Sequence, residues 1–259
     1  MRLDPGTGQA ARPSTVDTRR RMTLPTVLAD AAGITAGPVV VLRGERRGEL
    51  VVATPAAAMA RLRTGLADAV GRHGVHPTLA AALYDGLGRA TPGPPTGAQA
   101  SLPGDGPIIC DATPLLALLD NAPAADPLVD LLPRLVVTEA VADELFTVLL
   151  AAGLTMANIS AQLDGFEQVM DILTALGLRT AGLDAEWAPV RVLEYELRKA
   201  GGLADAERAT LALAAHLGAP ALLGGPVGEL PATVTVHAVD YRDLEPAPPT
   251  GAPVMATPA

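Results

Sequence analysis

The chain has 259 residues and a formal net charge of −9, and it is 49% hydrophobic but only 2% aromatic. This length allows two folded units whose cores are built mainly from Ala, Leu and Val. The single cysteine, Cys110, excludes an intrachain disulfide and a thiolate zinc cluster, and its apolar neighbours indicate a small buried side chain. The first residues do not resemble a signal peptide, and no apolar run approaches the ~18 to 20 residues of a membrane span. We therefore expect a cytoplasmic protein with no membrane partner.

The charge changes sign along the chain. Residues 1–90 contain 12 arginines, no lysine and 7 acidic residues, whereas residues 91–259 contain 7 basic and 21 acidic residues. A basic segment favours binding to a polyanion, and an acidic unit whose carboxylates converge favours a divalent cation. The two parts of the chain are therefore expected to have different partners.

Proline and glycine divide the chain into segments. The stretch 91–106 is rich in proline and glycine, and the C-terminal tail is rich in proline. Such compositions prevent a long helix and leave little apolar surface to bury. We expect disordered residues 1–14, a β-rich hairpin domain over 15–54, a helical segment over 55–90, a linker over 91–106, an α/β domain over 107–243 and a disordered tail over 244–259.

The first folded unit is predicted to be small and rich in β structure. Residues 16–25 alternate in a strand-like way, and a short helix over 26–32 ends at Gly33, which suits a left-handed conformation. Residues 38–43 and 49–53 flank a turn and predict a β-hairpin. Four short strands are too few for an independent core, so we expect this unit to pair with a second copy.

This segment resembles the AbrB/MazE swapped-hairpin family. The resemblance is carried by VDTRRRMTLP at 16–25, by AGITAG at 32–37 and by the hairpin over 39–52, with one departure at Pro38, where the family usually has Asp. It implies a dimer of interlocked hairpins that binds DNA through basic loops. Arginine neutralises phosphates and can fork onto guanine. The arginines expected on DNA are Arg19, Arg20, Arg21, Arg43, Arg46 and Arg47. The alternative interpretation is a solvated basic strand pair.

Two helices are predicted after the hairpin. Apolar residues at helical spacing place them over 55–72 and 77–89. In antitoxins of the family that the hairpin resembles, the following segment wraps the partner toxin. These helices are therefore expected either to contact the acidic domain or to cap the hairpin dimer.

From residue 107 onward, short apolar runs alternate with helical patterns. Strands are predicted at 108–110, 135–137, 178–183, 221–223 and 234–236, and helices at 115–119, 139–151, 158–176, 185–200 and from 205 to a stop at Gly218. This alternation predicts an α/β fold with a mostly parallel sheet covered by helices on both faces.

Acidic residues stand at positions where this fold gathers functional groups. Asp111 directly follows an apolar strand, where a charged group is costly to bury unless it is paired or binds a cation. Glu144 lies on the helix predicted at 139–151, and Asp205 and Glu207 open the last predicted helix. Each helical acid also has an ordinary interpretation: Glu144 as a solvated charge, Asp205 as an N-cap and Glu207 as a first-turn acid.

As an ordered set, the motifs of this domain resemble a PIN domain of the VapC toxin type. They are IICDATPLLALL at 108–119, VTEAVADEL at 137–145, LADAERATLALA at 203–214 and LGAPALL at 217–223. The resemblance implies a three-layer fold, Mg²⁺ or Mn²⁺, and hydrolysis of an RNA substrate by metal-activated water. It implies Asp111, Glu144 and Glu207 as metal ligands and Asp205 as the rival for the third position. Thr113 corresponds to the family's hydroxyl that orients a carboxylate or a water.

The chain departs from the PIN pattern at two places. Glu207 stands where Asp is usual, and Gly224-Gly225-Pro226 replaces the usual Thr-x-Asp, so that a fourth acid is missing at Gly225. The leading hypothesis is a metal-dependent ribonuclease fused to a DNA-binding, autoinhibitory head, which is the basic segment over residues 1–90. The protein is expected to form a homodimer or a higher homo-oligomer. The alternative is a catalytically degenerate PIN-like transcriptional regulator that binds DNA as a dimer.

Overall fold

The computed structural model describes residues 26–31, 33–34, 39–43, 50–73, 79, 83, 100–151, 169–182 and 188–244. The chain separates into two compact units, Met1–Leu62 and Arg63–Ala259. Several predicted segments lie outside the described residues: the disordered start and the strands before residue 26, the hairpin turn, most of the helix at 77–89, most of the linker at 91–106, the first part of the helix at 158–176 and the tail beyond 244. Within the described ranges, no helix is both long and apolar enough to cross a membrane.

The first unit contains a short helix and a β-hairpin, as predicted. Helix α1 spans Thr26–Ala31, and Gly33 follows it with a φ of 65°. Strand β1, Val40–Arg43, pairs antiparallel with β2, Leu50–Ala53, and Val41 lies opposite Val52. Val40 and Val51 are buried, whereas Val41 and Leu50 are 52% and 66% exposed. Val41 and Leu50 therefore leave exposed apolar surface on one face of the hairpin.

Helix α2, Pro55–His73, follows the hairpin directly. Its start combines a proline in the first turn with the hydroxyl of Thr54, which accepts a hydrogen bond from the Ala57 amide at 3.2 Å. Met59, Leu62 and Leu66 are buried, in agreement with the predicted helical spacing. The boundary between the two units falls within this helix.

The second unit contains a five-stranded parallel sheet, which confirms the predicted α/β class. The sheet order is β5-β4-β3-β6-β7. The strands are β3 Ile108–Cys110, β4 Leu135–Thr138, β5 Arg179–Ala181, β6 Ala221–Leu223 and β7 Ala238–Asp240. From β3 the chain adds strands on one side of the sheet, and it then returns to add β6 and β7 on the other side.

The strand predicted at 234–236 is wrong, because the fifth strand of this sheet is Ala238–Asp240. The amide of Val234 donates to the Pro231 carbonyl at 2.8 Å, which closes a turn. The His237 carbonyl then accepts from Ala221 at 2.9 Å, and Ala238 is the residue in register with Ala221. The short strand β6 therefore sets where pairing begins, and the apolar alternation at 234–236 precedes it.

Helices connect the strands. They are α3 Ala112–Leu119, α4 Leu128–Leu131, α5 Glu139–Ala151, α6 described over 169–175, α7 Ala188–Ala200 and α8 Asp205–Leu217. Short 3-10 turns lie at Pro123–Ala125, Leu132–Arg134 and Tyr241–Asp243. Gly218 ends α8 with a φ of 61°, as predicted.

The core of the second unit lies between the sheet and its helices. Ile109 of β3 and Val136 of β4 belong to one apolar cluster with Val190 and Leu197 of α7 and Leu211 of α8. Because side chains alternate along a strand, the remaining strand residues face the opposite side. Helices α3 and α5 also approach the sheet, at β6 and β4 respectively. The arrangement is compatible with the layered α/β fold predicted from the sequence.

The residues that follow the unit boundary contact helix α3. The Arg63 side chain donates through Nε to the Leu118 carbonyl at 2.8 Å. The Leu79 amide donates to Asp120 Oδ1 at 3.0 Å, and Leu79 and Leu83 are buried. These contacts lie at the C-terminal end of α3, whereas Asp111 precedes the N-terminal end of the same helix.

Candidate functional site

The central strand β3 ends at a buried carboxylate. Asp111 is 2% exposed, and its amide donates to the Leu222 carbonyl at 3.0 Å, which ties it to the neighbouring strand β6. It occupies the N-cap position of α3, yet its side chain makes no capping hydrogen bond. Thr113, 4% exposed, donates through Oγ1 to Asp111 Oδ2 at 3.4 Å. The capping role that commonly explains such an aspartate is thus excluded for Asp111.

The position of Asp111 in the sheet has chemical importance. In open parallel sheets, ligands bind at the carboxyl ends of strands where the direction of strand addition reverses. Strands β3 and β6 are the neighbours at that point in this sheet. Asp111 stands directly after β3, so its carboxylate lies where this fold class places its ligand sites.

A cleft of about 490 Å³ lies between α5 and the start of α8. It is lined by Ala140, Asp143, Glu144, Thr147, Leu203, Ala204, Asp205, Ala206 and Arg208. Glu144 is half-buried in this cleft, and Asp205 faces it from the opposite wall. The structure therefore brings together two of the acids predicted from the sequence, Glu144 and Asp205.

The acids that open α8 have different partners. Asp205 forms an ion pair with Arg208, whose guanidinium also donates to the Leu203 carbonyl. Ala204 is the N-cap residue, so the N-cap interpretation of Asp205 is wrong. The Ala204 amide donates to Glu207 Oε2 at 3.4 Å, so that the side chain of Glu207 supports the first turn of the helix.

The predicted acids do not form a closed metal site. Across the described ranges, no group of three His, Cys, Asp or Glu residues is close enough together to hold a metal ion. Glu144 and Asp205 line the cleft, Glu207 makes the helix-start contact, and Asp111 lies at the sheet edge beside Thr113. Any metal bound by this set would require movement of side chains.

Cys110 is a buried structural residue, as predicted. Its thiol is fully buried and donates to the Asp111 carbonyl at 3.3 Å. Burial raises the pKa of the Cys110 thiol well above its usual value, and the neighbouring Asp111 charge acts in the same direction. A protonated thiol is a poor nucleophile, so Cys110 takes no chemical part in the site.

The sequence analysis does not identify the buried ion pair between Asp240, the last residue of β7, and Arg242. Asp240 Oδ2 lies 2.6 Å from an Arg242 guanidinium nitrogen, and Asp240 Oδ1 accepts from both the Arg242 amide and Nε at 3.0 Å. The signal was an acid directly after the apolar Val239, the pattern that also marks Asp111. Because the strand was predicted at 234–236, Asp240 was not recognised as the residue at its end.

Of the arginines predicted to contact DNA, Arg43 is the one whose backbone is described. It ends β1, opposite Leu50 of β2. Arg19, Arg20, Arg21, Arg46 and Arg47 lie outside the described residues. The hairpin therefore carries one of the candidate arginines at the strand end that leads into the predicted basic turn.

No known protein-family model matches this chain, and no curated protein matches its sequence. The two features that bear most directly on function are the buried Asp111 at the carboxyl end of the central strand and the cleft that contains Glu144.

Proposed function

We propose that this chain is a metal-dependent endoribonuclease of the PIN type, joined to an AbrB-like DNA-binding head. The observation that carries the proposal is the buried Asp111 at the carboxyl end of the central strand, where its carboxylate does not cap the following helix. A buried carboxylate at a ligand-binding edge is favourable when a cation accompanies it. Glu144, which lines the cleft between α5 and the start of α8, is the second proposed ligand.

The donor chemistry fits a hard divalent cation. Mg²⁺ and Mn²⁺ prefer carboxylate oxygens, and Asp111, Glu144, Asp205 and Glu207 supply these oxygens from β3, α5 and α8. A bound cation would supply the Lewis-acid chemistry that makes water a nucleophile near neutral pH. The third ligand is proposed to be Glu207, and Asp205 remains the rival because it lines the same cleft as Glu144.

The chain's own residues have distinct proposed roles. Thr113 donates to Asp111 and so holds one carboxylate oxygen in place. Arg208 lines the cleft and pairs with Asp205, so it is proposed to orient the Asp205 carboxylate. Both roles concern binding and orientation, which is the main contribution of a protein to phosphoryl hydrolysis.

The test is an RNA cleavage assay of the full chain with Mg²⁺ or Mn²⁺. We expect Asp111→Asn to lose most of the metal-dependent cleavage, because the amide lacks the negative charge that a cation requires. Asp130→Asn is the matched control, since Asp130 is an exposed acid of the same unit. Equal cleavage by the wild type and Asp111→Asn would refute the proposal, and so would the absence of cleavage by both proteins before and after proteolytic removal of the head.

A catalytically degenerate transcriptional regulator is the second candidate. It is favoured by the ion pair that Asp205 forms with Arg208 and by the open arrangement of the acids within the described residues. Titration with Mn²⁺ separates the two candidates. Absence of metal binding, together with salt-sensitive binding of the full chain to duplex DNA, would favour the regulator.

The head is proposed to bind DNA as a homodimer or higher oligomer. The support is the open apolar face of the hairpin, which includes Val39, Val41 and Leu50 and suits a second copy of the hairpin. Binding to duplex DNA should weaken as salt rises, with a log–log slope near −0.9 for each phosphate contact. Changing Arg43 to Ala should reduce that slope, and an unchanged slope would argue against its DNA contact.

The head is also proposed to inhibit the ribonuclease. Arg63 and Leu79 contact the C-terminal end of α3, whose N-terminal turn carries Thr113. Inhibition through this segment would therefore act on the position of α3. The measurement is ribonuclease activity before and after proteolytic removal of the head, and unchanged activity would remove this part of the proposal.

A further inference from the structure

Gly224, the first residue after β6, lies against the side chain of Thr113. A Cβ atom at position 224 would lie 2.3 Å from Thr113 Cγ2, 2.4 Å from its Cβ and 2.8 Å from its Oγ1. Ordinary contacts between carbon atoms are about 3.5 to 4.0 Å. Thr113 thus occupies the space that any side chain at position 224 would need.

This close approach follows from the pairing of the two strands. The Asp111 amide donates to the Leu222 carbonyl, and Cys110 is in register with Leu222, so the ends of β3 and β6 are held side by side. The Cβ of Thr113 cannot rotate away, because it is bonded directly to the backbone at the start of α3. Relief of a clash at position 224 would therefore require a shift of α3 or of the loop after β6.

We propose that Gly224 is a positioning residue for the metal site. Its missing side chain lets Thr113 pack between the end of β6 and the Asp111 carboxylate, where the threonine hydroxyl holds Asp111 Oδ2. This inference rests on the proposed function, because it assigns the Asp111 carboxylate to a divalent cation. It also explains the glycine at position 224, where the sequence departs from the PIN pattern, as a steric requirement of this chain.

The test compares two alanine substitutions in the full chain. Gly224→Ala places a methyl group against Thr113, whereas a Cβ at Gly228, in the same connection, meets nothing within 4 Å. We expect Mn²⁺ binding, measured by calorimetric titration, to weaken about 10-fold or more in Gly224→Ala, as for other residues that orient a ligand. Gly228→Ala should bind Mn²⁺ like the wild type.

Two changes at Thr113 keep the test decisive if Gly224→Ala folds poorly. Thr113→Ser retains the hydroxyl and should retain Mn²⁺ affinity, whereas the nearly isosteric Thr113→Val should lose about as much affinity as Gly224→Ala. In the double variant Gly224→Ala/Thr113→Gly, the new methyl group enters vacated space. Its thermal stability should approach that of Thr113→Gly, while Mn²⁺ binding stays weak because the hydroxyl is absent.

The outcomes separate this inference from the proposed function. If the wild type binds Mn²⁺ and Gly224→Ala or Thr113→Val binds it equally well, the positioning role is overturned and the ribonuclease proposal stands. If the wild type binds no Mn²⁺, the proposed function fails and the positioning role fails with it.

Discussion

Replacement of Asp111 by Asn should separate metal binding from folding stability. Asp111 is 2% exposed, and its carboxylate accepts a hydrogen bond from Thr113 Oγ1. Asn has nearly the same shape, and its amide oxygen can still accept from Thr113 Oγ1. Without metal, we therefore expect Asp111→Asn to keep the stability of the wild type to within about 1 kcal/mol.

Mn²⁺ should then make the wild type more stable than Asp111→Asn. A ligand present at about 100 times its dissociation constant stabilises the folded state by about 2.7 kcal/mol. For a unit of this size, that free energy corresponds to a rise in melting temperature of about 5 to 11 °C. The wild type should show this rise, and Asp111→Asn should show little of it because the proposed ligand has lost its charge.

The assay is thermal unfolding of the full chain by calorimetry, with Mn²⁺ and with a chelator. Asp130→Asn controls for the loss of one exposed acid elsewhere in the second unit. Equal Mn²⁺-induced shifts in Asp111→Asn and the wild type would refute the ligand role. A marked loss of stability in Asp111→Asn without metal would instead make Asp111 a structural residue.

Three further predictions concern the second unit. Burial raises the pKa of Cys110, so the unfolded chain releases the thiol proton at a lower pH than the folded chain does. The free energy of unfolding should therefore fall above about pH 8.5, by up to ~1.4 kcal/mol per pH unit. Denaturant titrations should show that this pH dependence disappears in Cys110→Ala, and its persistence there would exclude the thiol as its cause. Gly177 has a φ of 108° and its Cβ would lie 2.7 Å from a proline backbone atom, so Gly177→Ala should cost about 2 to 4 kcal/mol. Gly201 has a φ of 77° but open space around its Cβ position, so Gly201→Ala should lower the free energy of unfolding by less than Gly177→Ala does. Equal losses in the two variants would exclude a steric clash at Gly177. Arg242→Met should lower the free energy of unfolding by about 3 kcal/mol, because it leaves Asp240 buried without its cation. The double variant with Asp240→Asn should recover stability in the same denaturant titration. Absence of this recovery would contradict the pairing of Arg242 with Asp240.

The helices and strands of the second unit were largely predictable because local patterns specify them. Strand Ile108–Cys110, helix Glu139–Ala151 and strand Ala221–Leu223 have the predicted bounds. Gly218 also ends its helix in the predicted left-handed conformation. In each case a short apolar run, a helical period or a stop residue acts over a few neighbouring positions.

The last strand was mispredicted because pairing, and not local alternation, determines where it begins. Residues 234–236 have the alternation of a strand, but the register with β6 starts at Ala238. The folded structure also distinguishes the acidic residues of the candidate site by the contacts that each one makes. Residue types identified Glu144, Asp205 and Glu207 as candidates, whereas the hydrogen bond from Ala204 to Glu207 and the ion pair between Asp205 and Arg208 depend on the helix start as folded.

Residue order alone was therefore enough for the α/β class, for the parallel sheet and for the carboxylate after the central strand, since these follow from propensity and periodicity within short windows. The sheet order, the cleft beside Glu144 and the contact of Thr113 with Gly224 required the folded chain. Thr113 and Gly224 are distant in sequence and meet because β3 and β6 pair in one register. Such contacts depend on how whole elements pack together, and no short stretch of residues encodes that packing.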